Sequence, residues 1–437
     1  MARELAPVPH QYPYWQDQLG EAPVLPEDPP RDVDVLVIGS GYTGLNAAIV
    51  TARGGRSTLV IDAQDVGFGC STRNGGQIST SVKPSLGKLT AKFGEAKARA
   101  IRAEGQAALD WVGAFVEGEG IDCDFRRVGR YHAAHTPQHY ESLVRDAEAM
   151  RAEEGIESFA VPRSEQRNEM GSDVYYGGVV YPKHCSIHPA KFHRGLLDLA
   201  MKAGTVAVGQ CAALSIDRSG DGFRVGTTKG TISARDVIVA TNGYTGTLVP
   251  WLRRRVIPIG SYIIVTEELP EALIDELFPT DRIASDTCKV IYYYRATPDR
   301  KRILFGGRVS ARETDTAESA PRLYQSMCRI FPQLDGCALS HSWSGNVAYT
   351  FDELAHTGVH DGVHYAMGYC GSGVSMASYL GMRTGQKVLG LKEGSTAFDD
   401  LPHPTRPLYT GTPWFLPTAV AYYRWLDDLQ CRRAKAA

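Results

Sequence analysis

The chain has 437 residues, of which 43% are hydrophobic and 22% are charged, and its formal net charge is -2. This length allows two or three domains with large cores. The nearly balanced charge gives no electrostatic reason to expect a nucleic-acid or anionic-membrane partner. Nine cysteines without a C-x-x-C pair argue against a disulfide framework or a zinc cluster and fit a reducing cytoplasm. No signal-peptide core and no apolar run of roughly 20 residues is present, so we expect a cytoplasmic protein without a membrane span.

The hydrophobic pattern predicts alternating helices and strands after an extended, proline-rich arm at 1–30. The predicted helices are 45–52, 97–117, 140–151, 189–202, 319–331 and one that ends at 389. The predicted strands are 34–38, 57–62, 125–135, 175–181, 205–208, 212–217, 223–227, 237–240, 257–266, 290–295 and 302–307. This order indicates an α/β nucleotide-binding domain that is interrupted by a mostly antiparallel sheet.

The segment 34–62 carries the most informative motif. An apolar strand ends in G-x-G-x-x-G at Gly39, Gly41 and Gly44, a helix follows, and a second strand ends at Asp62. The glycines permit the tight turn, the approach of a pyrophosphate and close packing of the helix on the strand, while the acid accepts ribose hydroxyls. The other candidate cofactor-binding residues of this unit are Ser40, Tyr42, Thr43, Ala63 and Gln64.

Three later glycine-containing turns favour a flavin over a nicotinamide. They are the 67–77 loop after the second strand, the 240–244 turn after an apolar strand, and the 368–374 turn before a helix. A helix N-terminus at the last turn would stabilise negative charge on the pyrimidine end of a reduced flavin. The candidate cofactor-binding residues in these segments and nearby are Gly69, Cys70, Ser71, Arg73, Asn74, Gly75, Gly76, Gln77, Thr241, Asn242, Gly243, Gly345, Gly371, Ser372, Gly373 and Val374.

These motifs resemble, in order and nearly end to end, those of the D-amino-acid-oxidase-type (glutathione-reductase-2-like) FAD oxidoreductases. The matching stretches are V-I-G-S-G-Y-T-G-L at 37–45, G-F-G-C-S-T-R-N-G-G-Q-I at 67–78, A-T-N-G-Y at 240–244, P-I-G-S-Y-I-I-V-T at 258–266 and G-Y-C-G-S-G-V at 368–374. The resemblance implies an α/β (α+β) fold with a Rossmann-like FAD-binding domain at 31–120, 186–248 and 340–400. An interleaved, mostly antiparallel substrate domain takes 121–185 and 249–339, and 401–437 forms a C-terminal extension.

Departures from the family pattern bear on the cofactor and the substrate. Cys370 and Ser372 replace the serine and histidine of the usual turn, and Ser375 stands where the sarcosine-oxidase branch has a carboxylate-binding lysine. Val347 and Asn74 stand where other branches attach FAD covalently. The resemblance therefore implies non-covalent FAD, with Cys70 as the one nearby thiol, and no α-carboxylate clamp of the sarcosine-oxidase kind.

The implied reaction is oxidation of a C–N bond in an amine of the γ-glutamylated-putrescine or polyamine type, with oxygen as the electron acceptor and hydrogen peroxide as product. By family position, Tyr262, Tyr293, Trp343 and Tyr369 would form an aromatic box around the amine. Lys289 would help oxygen to take electrons. Three alternatives remain open: a D-amino-acid or N-methyl-amino-acid oxidase, a nicotinamide dehydrogenase, and a non-catalytic flavin-binding protein. The sequence does not indicate an oligomeric state.

His132, His135 and His139 have a spacing that superficially resembles a metal site. The segment passes from a strand through Thr136 and Pro137 into a helix, so the three side chains are not expected to share one face. The sequence therefore predicts no metal.

Overall fold

The computed structural model describes residues 8–79, 82–308 and 313–436, without the side chains of 435 and 436. Its helices are α1 Tyr42–Arg53, α2 Leu86–Phe93, α3 Glu95–Gly118, α4 Pro137–Glu154, α5 Pro189–Lys202, α6 Pro250–Arg253, α7 Glu271–Leu277, α8 Thr316–Ile330, α9 Gly373–Val388 and α10 Leu416–Ala436. Its strands are β1 Asp32–Ile38, β2 Thr58–Ile61, β3 Gln77–Ile78, β4 Arg130–Ala133, β5 Phe159–Val161, β6 Gly178–Tyr181, β7 Cys185–Ser186, β8 Val206–Val208, β9 Ala213–Ser219, β10 Gly222–Thr227, β11 Gly230–Val239, β12 Ile257–Thr266, β13 Ile283–Asp286, β14 Tyr292–Ala296, β15 Ile303–Gly307, β16 Leu339–Tyr349, β17 His356–His360 and β18 Val363–Met367.

The first sheet is the parallel centre of a Rossmann-like unit. Its order is β17-β18-β11-β1-β2-β8, and a hairpin of β9 and β10 joins it along β11. Strands β8, β2, β1, β11 and β18 run parallel. Alternate residues of β1 enter different cores: Val35 and Val37 pack with α1, α3, α5 and α9, whereas Leu36 and Ile38 pack with the hairpin. Ligands of such sheets bind beyond the carboxyl ends of the strands.

The second sheet is mostly antiparallel, in the order β16-β12-β15-β14-β13-β4-β6-β5, with one parallel pair between β13 and β4. One face packs on α7 and α8, with the stacked rings of Tyr294 and Phe305 at its centre. The opposite face carries Ile263, Leu304 and Trp343. The predicted α/β architecture, a Rossmann-like sheet with an interleaved antiparallel sheet, is confirmed.

The strand pairing departs from the predicted domain boundaries at two places. β16 pairs with β12 along its length, so residues 340–349 belong to the second sheet although they were predicted in the FAD-binding segment 340–400. Leu252 of α6 packs in a core of the first sheet, although 249–339 was predicted for the substrate domain. The hydrophobic pattern marks elements but does not specify which sheet an element joins. Elsewhere the division into domains remains a prediction.

Both ends of the described chain lie against the second sheet. In the predicted arm, His10 bridges to His341 of β16, and Trp15 is completely buried. At the other end, Leu416 and Val420 pack against Val290. Among the described residues, none of the helices combines the length and the apolar character that a membrane crossing requires.

Candidate active site

The glycine turn between β1 and α1 lies at the carboxyl edge of the first sheet. Gly39 has a φ of 108°, and a Cβ on Gly44 would overlap the carbonyl oxygen of Gly39. A Cβ on Gly41 would lie 2.9 Å from Ser71 Oγ. Helix α1 begins after Gly41, which has no side chain to cap it. Such a helix end offers N–H groups and positive potential to an anion, so the turn fits a pyrophosphate.

Asp62 follows β2 and orients the glycine turn from the neighbouring strand. Its Oδ2 accepts hydrogen bonds from Ser40 N at 2.9 Å and Ser40 Oγ at 2.5 Å, and its Oδ1 accepts from Gln64 N at 3.1 Å. An ionised carboxylate offers about four acceptor positions, so one remains for a ribose hydroxyl. Ala63 and Gln64 are exposed beside it.

The 368–374 turn lies beside the first turn of α1. The Tyr369 hydroxyl is 2.6 Å from Thr43 Oγ1 and donates to Ala366 O at 2.8 Å. A Cβ on Gly381 would overlap the Thr43 carbonyl, so α9 packs closely on α1. The side chain of Ser372 does not cap α9. A second helix N-terminus therefore lies at the same edge of the sheet as the first.

The 240–244 turn joins these segments to β16. Asn242 Oδ1 accepts from Gly368 N at 2.9 Å, and a Cβ on Gly243 would lie 2.7 Å from Asn346 O. The Thr241 hydroxyl pairs with Thr245 at 2.8 Å. The 39–44, 240–244 and 368–374 turns, which were all predicted to bind the cofactor, are thus neighbours in space.

Two indole N–H groups donate to consecutive carbonyls of the 67–77 loop. Trp15 Nε1 donates to Asn74 O at 2.9 Å, and Trp343 Nε1 donates to Arg73 O at 2.8 Å. One indole comes from the N-terminal arm and the other from β16. The loop that we predict to contact the flavin is therefore positioned partly by the second sheet.

The end of this loop is attached to β14. Arg295 is buried and donates from Nη1 to Gly76 O at 2.9 Å and to Ile187 O at 3.1 Å. Gln77 Nε2 donates to Tyr294 O at 3.2 Å. Sequence reasoning did not include Trp15 and Arg295 among the site residues, because their partners are distant in the chain.

Cys70 lies in the 67–77 loop, against β16. A Cβ on Gly345 of that strand would be 3.0 Å from its Sγ. Burial raises the pKa of the Cys70 thiol to about 11, although the charge of Arg73 opposes the shift. The thiol is therefore protonated at neutral pH, and a protonated thiol is a poor nucleophile.

Tyr293 and Ser261 form a hydroxyl pair on the face of the second sheet that carries Trp343. Their oxygens are 2.9 Å apart. The Tyr293 ring occupies the space that two glycines leave, since a Cβ on Gly75 would lie 2.8 Å from its Cε2 and a Cβ on Gly306 would overlap the ring. Burial raises the pKa of Tyr293, so the phenol stays protonated. Sequence reasoning did not single out Ser261, because the residue type alone gives no signal.

The four aromatic residues that were predicted to form one box are not brought together. In the ladder, Trp343 is opposite Ile263, so Tyr262 points to the other face of the sheet. There its hydroxyl donates to Glu313 Oε2 at 3.0 Å, and its ring packs in the core with α8. Of the four, only Tyr293 and Trp343 share a face, so Tyr262 does not join them. A role for Tyr293 or Trp343 in binding the amine stays a prediction.

Tyr369 and Lys289 also lie apart from that face. Tyr369 is 4% exposed and joins the 368–374 turn to α1. Lys289 is exposed on the β13–β14 loop, where its backbone N–H donates to Asp427 Oδ1 of α10 at 3.0 Å. A role for Lys289 in the reaction with oxygen stays a prediction.

Arg308, a cationic residue near this face, already has partners. Arg308 Nη1 donates to Gly260 O at 2.9 Å and to Glu313 Oε1 at 3.0 Å. Ser375 is buried in the first turn of α9, and its hydroxyl donates to Ser79 O at 3.2 Å. The position of the family lysine therefore carries a short, neutral side chain.

The residues present fit an FAD. The glycine turn suits the pyrophosphate, Asp62 has an acceptor position for the ribose, and the N-terminus of α9 suits the pyrimidine end of the flavin. Gly41 and Gly345 also lie close to the 67–77 loop, because a Cβ at either position would approach a side chain of that loop to about 3 Å. The assignment of individual residues to the cofactor remains a prediction.

Comparison with known proteins gives the family. Residues 34–386 match the model of the FAD dependent oxidoreductase family, DAO. The chain is 32% identical over 431 residues to the probable oxidoreductase OrdL of Rhizobium meliloti, which covers 97% of this chain and 99% of that protein. It is 32% identical over 403 residues to the gamma-glutamylputrescine oxidoreductase of Escherichia coli, which covers 91% of this chain and 93% of that protein.

Solved structures agree in fold. Glycine oxidase from Geobacillus kaustophilus has a TM-score of 0.72 at 18% identity and covers 86% of this chain and 99% of its own. L-proline dehydrogenase from P. horikoshii has a TM-score of 0.69 at 16% identity, and the match covers 90% of this chain and 99% of that one. The predicted family, FAD cofactor and oxidoreductase class are confirmed, and the chain belongs to the FAD-dependent oxidoreductase (DAO) family.

Proposed function

We propose that this FAD-dependent oxidoreductase oxidises the C–N bond of a long amine of the γ-glutamylputrescine or polyamine type. The product is an imine, which water hydrolyses to an aldehyde or ketone. Similarity to the gamma-glutamylputrescine oxidoreductase of Escherichia coli supports an amine as the substrate class. The observation that carries the choice within this class is the buried, neutral Ser375 at the position of the carboxylate-binding lysine.

The charges around this face support an amine that has no obligatory carboxylate on the carbon that is oxidised. A buried carboxylate without a cation is costly. Arg308 donates to the Glu313 carboxylate. Arg295 donates to the carbonyl oxygens of Gly76 and Ile187. A chain of methylene groups needs only apolar surface.

Bound FAD supplies the hydride acceptor of the reaction. The residues of this chain place the donor carbon, exclude water and favour the neutral amine. The Ser261–Tyr293 pair carries no charge, so a desolvated ammonium has no counter-ion there and the deprotonated amine is preferred. One hydroxyl proton is used within the pair, so the other can donate to the amine nitrogen, and the hydroxyl oxygens can accept from the amine N–H groups.

We further propose that FAD is bound non-covalently and that oxygen reoxidises it with formation of hydrogen peroxide. Asn74 and Val347 at the attachment positions of other branches support non-covalent binding. The raised pKa of the Cys70 thiol, caused by burial, supports it as well.

Anaerobic bleaching of the flavin tests the substrate class. We expect γ-glutamylputrescine or putrescine to reduce the flavin faster than sarcosine or D-alanine, and Ser375→Ala to leave this order unchanged. Faster reduction by sarcosine or D-alanine would refute the proposal and favour the amino-acid oxidase alternative. A flavin that none of the four compounds bleaches would favour a non-catalytic role. Peroxide release after air is admitted separates an oxidase from a dehydrogenase.

A further inference from the structure

Three side chains with metal-binding atoms meet under the C-terminal helix, away from the 67–77 loop. A ring nitrogen of His135, the Sγ of Cys288 and a carboxylate oxygen of Asp427 lie within 4.8 Å of one another. They come from the β4–α4 connection, the β13–β14 loop and α10. Ligand atoms around a tetrahedral zinc ion lie roughly 3.3–3.8 Å apart when each is about 2.0–2.3 Å from the metal. A closure of about 1 Å therefore brings the three atoms to an ion.

Two of these ligands have further hydrogen bonds that orient them. His135 Nδ1 lies 2.6 Å from Thr287 Oγ1, and the two oxygens of Asp427 accept from two backbone N–H groups of the β13–β14 loop, each at 3.0 Å. Bonds of this kind fix the tautomer of a metal-binding histidine and the direction of a carboxylate. His135 Nε2 lies 3.2 Å from Gln430 Oε1, a contact that an ion would replace.

We propose that His135, Cys288 and Asp427 bind a divalent ion of the zinc class. Thiolate, imidazole and carboxylate are the groups that zinc uses in proteins. Of the three histidines for which the sequence predicted no metal, only His135 belongs to this cluster. The sequence could not reveal the cluster, because Cys288 and Asp427 lie far away in the chain.

The ion would attach α10 to the second sheet near the face that carries Ser261. Residues Leu416 and Val420 of α10 pack with Val290 and Ile259, and Ile259 is on the same side of β12 as Ser261. Arg424 of the same helix donates to the carbonyl oxygen of Arg308 at 3.0 Å. The site is thus structural, and it supports an edge of the proposed substrate face.

Metal binding to the FAD-loaded protein tests this inference. After dialysis against a chelator, we expect the wild-type protein to take up one Zn²⁺ per chain, and Co²⁺ to give a thiolate-to-cobalt charge-transfer absorption in the difference spectrum. Cys288→Ser should abolish that absorption and weaken Zn²⁺ binding at least tenfold. The matched control is Cys211→Ser, a buried cysteine in a core of the first sheet, and it should bind as the wild type does.

Two results would overturn the proposal: wild-type protein that binds neither ion, or a folded Cys288→Ser variant with wild-type affinity. If Cys288→Ser does not fold, Thr287→Val provides the second measurement. It removes the hydroxyl that orients His135 and should weaken Zn²⁺ binding about 10–100-fold. Unchanged Zn²⁺ affinity in that variant would equally exclude the site.

Discussion

The indole of Trp15 offers a direct test of how the N-terminal arm acts on the cofactor loop. Trp15→Phe removes the hydrogen bond to Asn74 O while it keeps an aromatic ring at a completely buried position. Loss of one such partner costs about 1–3 kcal/mol. The smaller ring leaves a void of roughly 40 Å³, which adds about 1 kcal/mol at about 24 cal/mol per Å³. The void acts on the folded protein with or without FAD, whereas the hydrogen bond also positions the loop that we expect FAD to contact.

If 1–2 kcal/mol of this loss appears in cofactor binding, the Kd for FAD rises about 5–30-fold. Titration of apoprotein with FAD, followed by flavin fluorescence, measures the Kd, and denaturant unfolding measures the stability of the apoprotein. Trp343→Phe removes the neighbouring bond to Arg73 O and should act alike. Trp111→Phe on α3, an indole stacked on Phe115, is the control. Lower apoprotein stability together with an unchanged Kd in Trp15→Phe would refute the positioning role.

Three further predictions concern the cofactor and acid stability. Asp62→Ala should raise the Kd for FAD on the order of tenfold to a hundredfold, a loss of roughly 1.5–3 kcal/mol, with turnover nearly restored in excess FAD; an unchanged Kd would show that Asp62 does not bind the ribose. Acid denaturation should release all FAD, and yellow colour on the precipitate would mean a covalent link, with Cys70 or Cys370 as the suspect. Burial lowers the pKa of His188 from 6.5 to about 4, so the unfolded chain binds the proton first and stability falls as pH drops from 6.5 to 4. His188→Asn keeps an N-cap for α5 and should reduce the slope of the unfolding free energy against pH in this range by up to about 1.4 kcal/mol per pH unit. Identical slopes for the wild type and the variant would show that His188 does not cause this loss of stability.

Local signals predicted the elements that have clear ends. Helix α5 runs from Pro189 to Lys202, as the opening proline and the glycine at 204 indicate. Strand β12 covers the predicted 257–266. The predicted strand 125–135 shortens to Arg130–Ala133, because Gly129 has a φ of 74° that ends regular extended backbone.

The glycine turn was predictable for the same reason, since all its parts lie within 30 residues and each has a distinct residue type. The orientation of Tyr262 was not. Whether a strand residue faces the cofactor depends on its register with a strand far away in sequence, and a shift of one residue reverses the face. Here Trp343 lies opposite Ile263, and the hydrophobic pattern of β12, which is buried on both faces, contains no alternation to reveal it.

The long-range contacts also make cofactor and substrate effects inseparable at two residues. Trp343 donates to the cofactor loop through its N–H, and its buried ring packs on the sheet face that carries Ser261. Tyr293 lies against Gly75 of that loop while its hydroxyl meets Ser261. A substitution at either residue therefore changes the flavin position and the substrate wall together. Since both act through one loop, their free-energy effects should not add. Residues such as Ser261, which touches the wall but not the loop in the described contacts, are the ones whose substitution reports on substrate recognition alone.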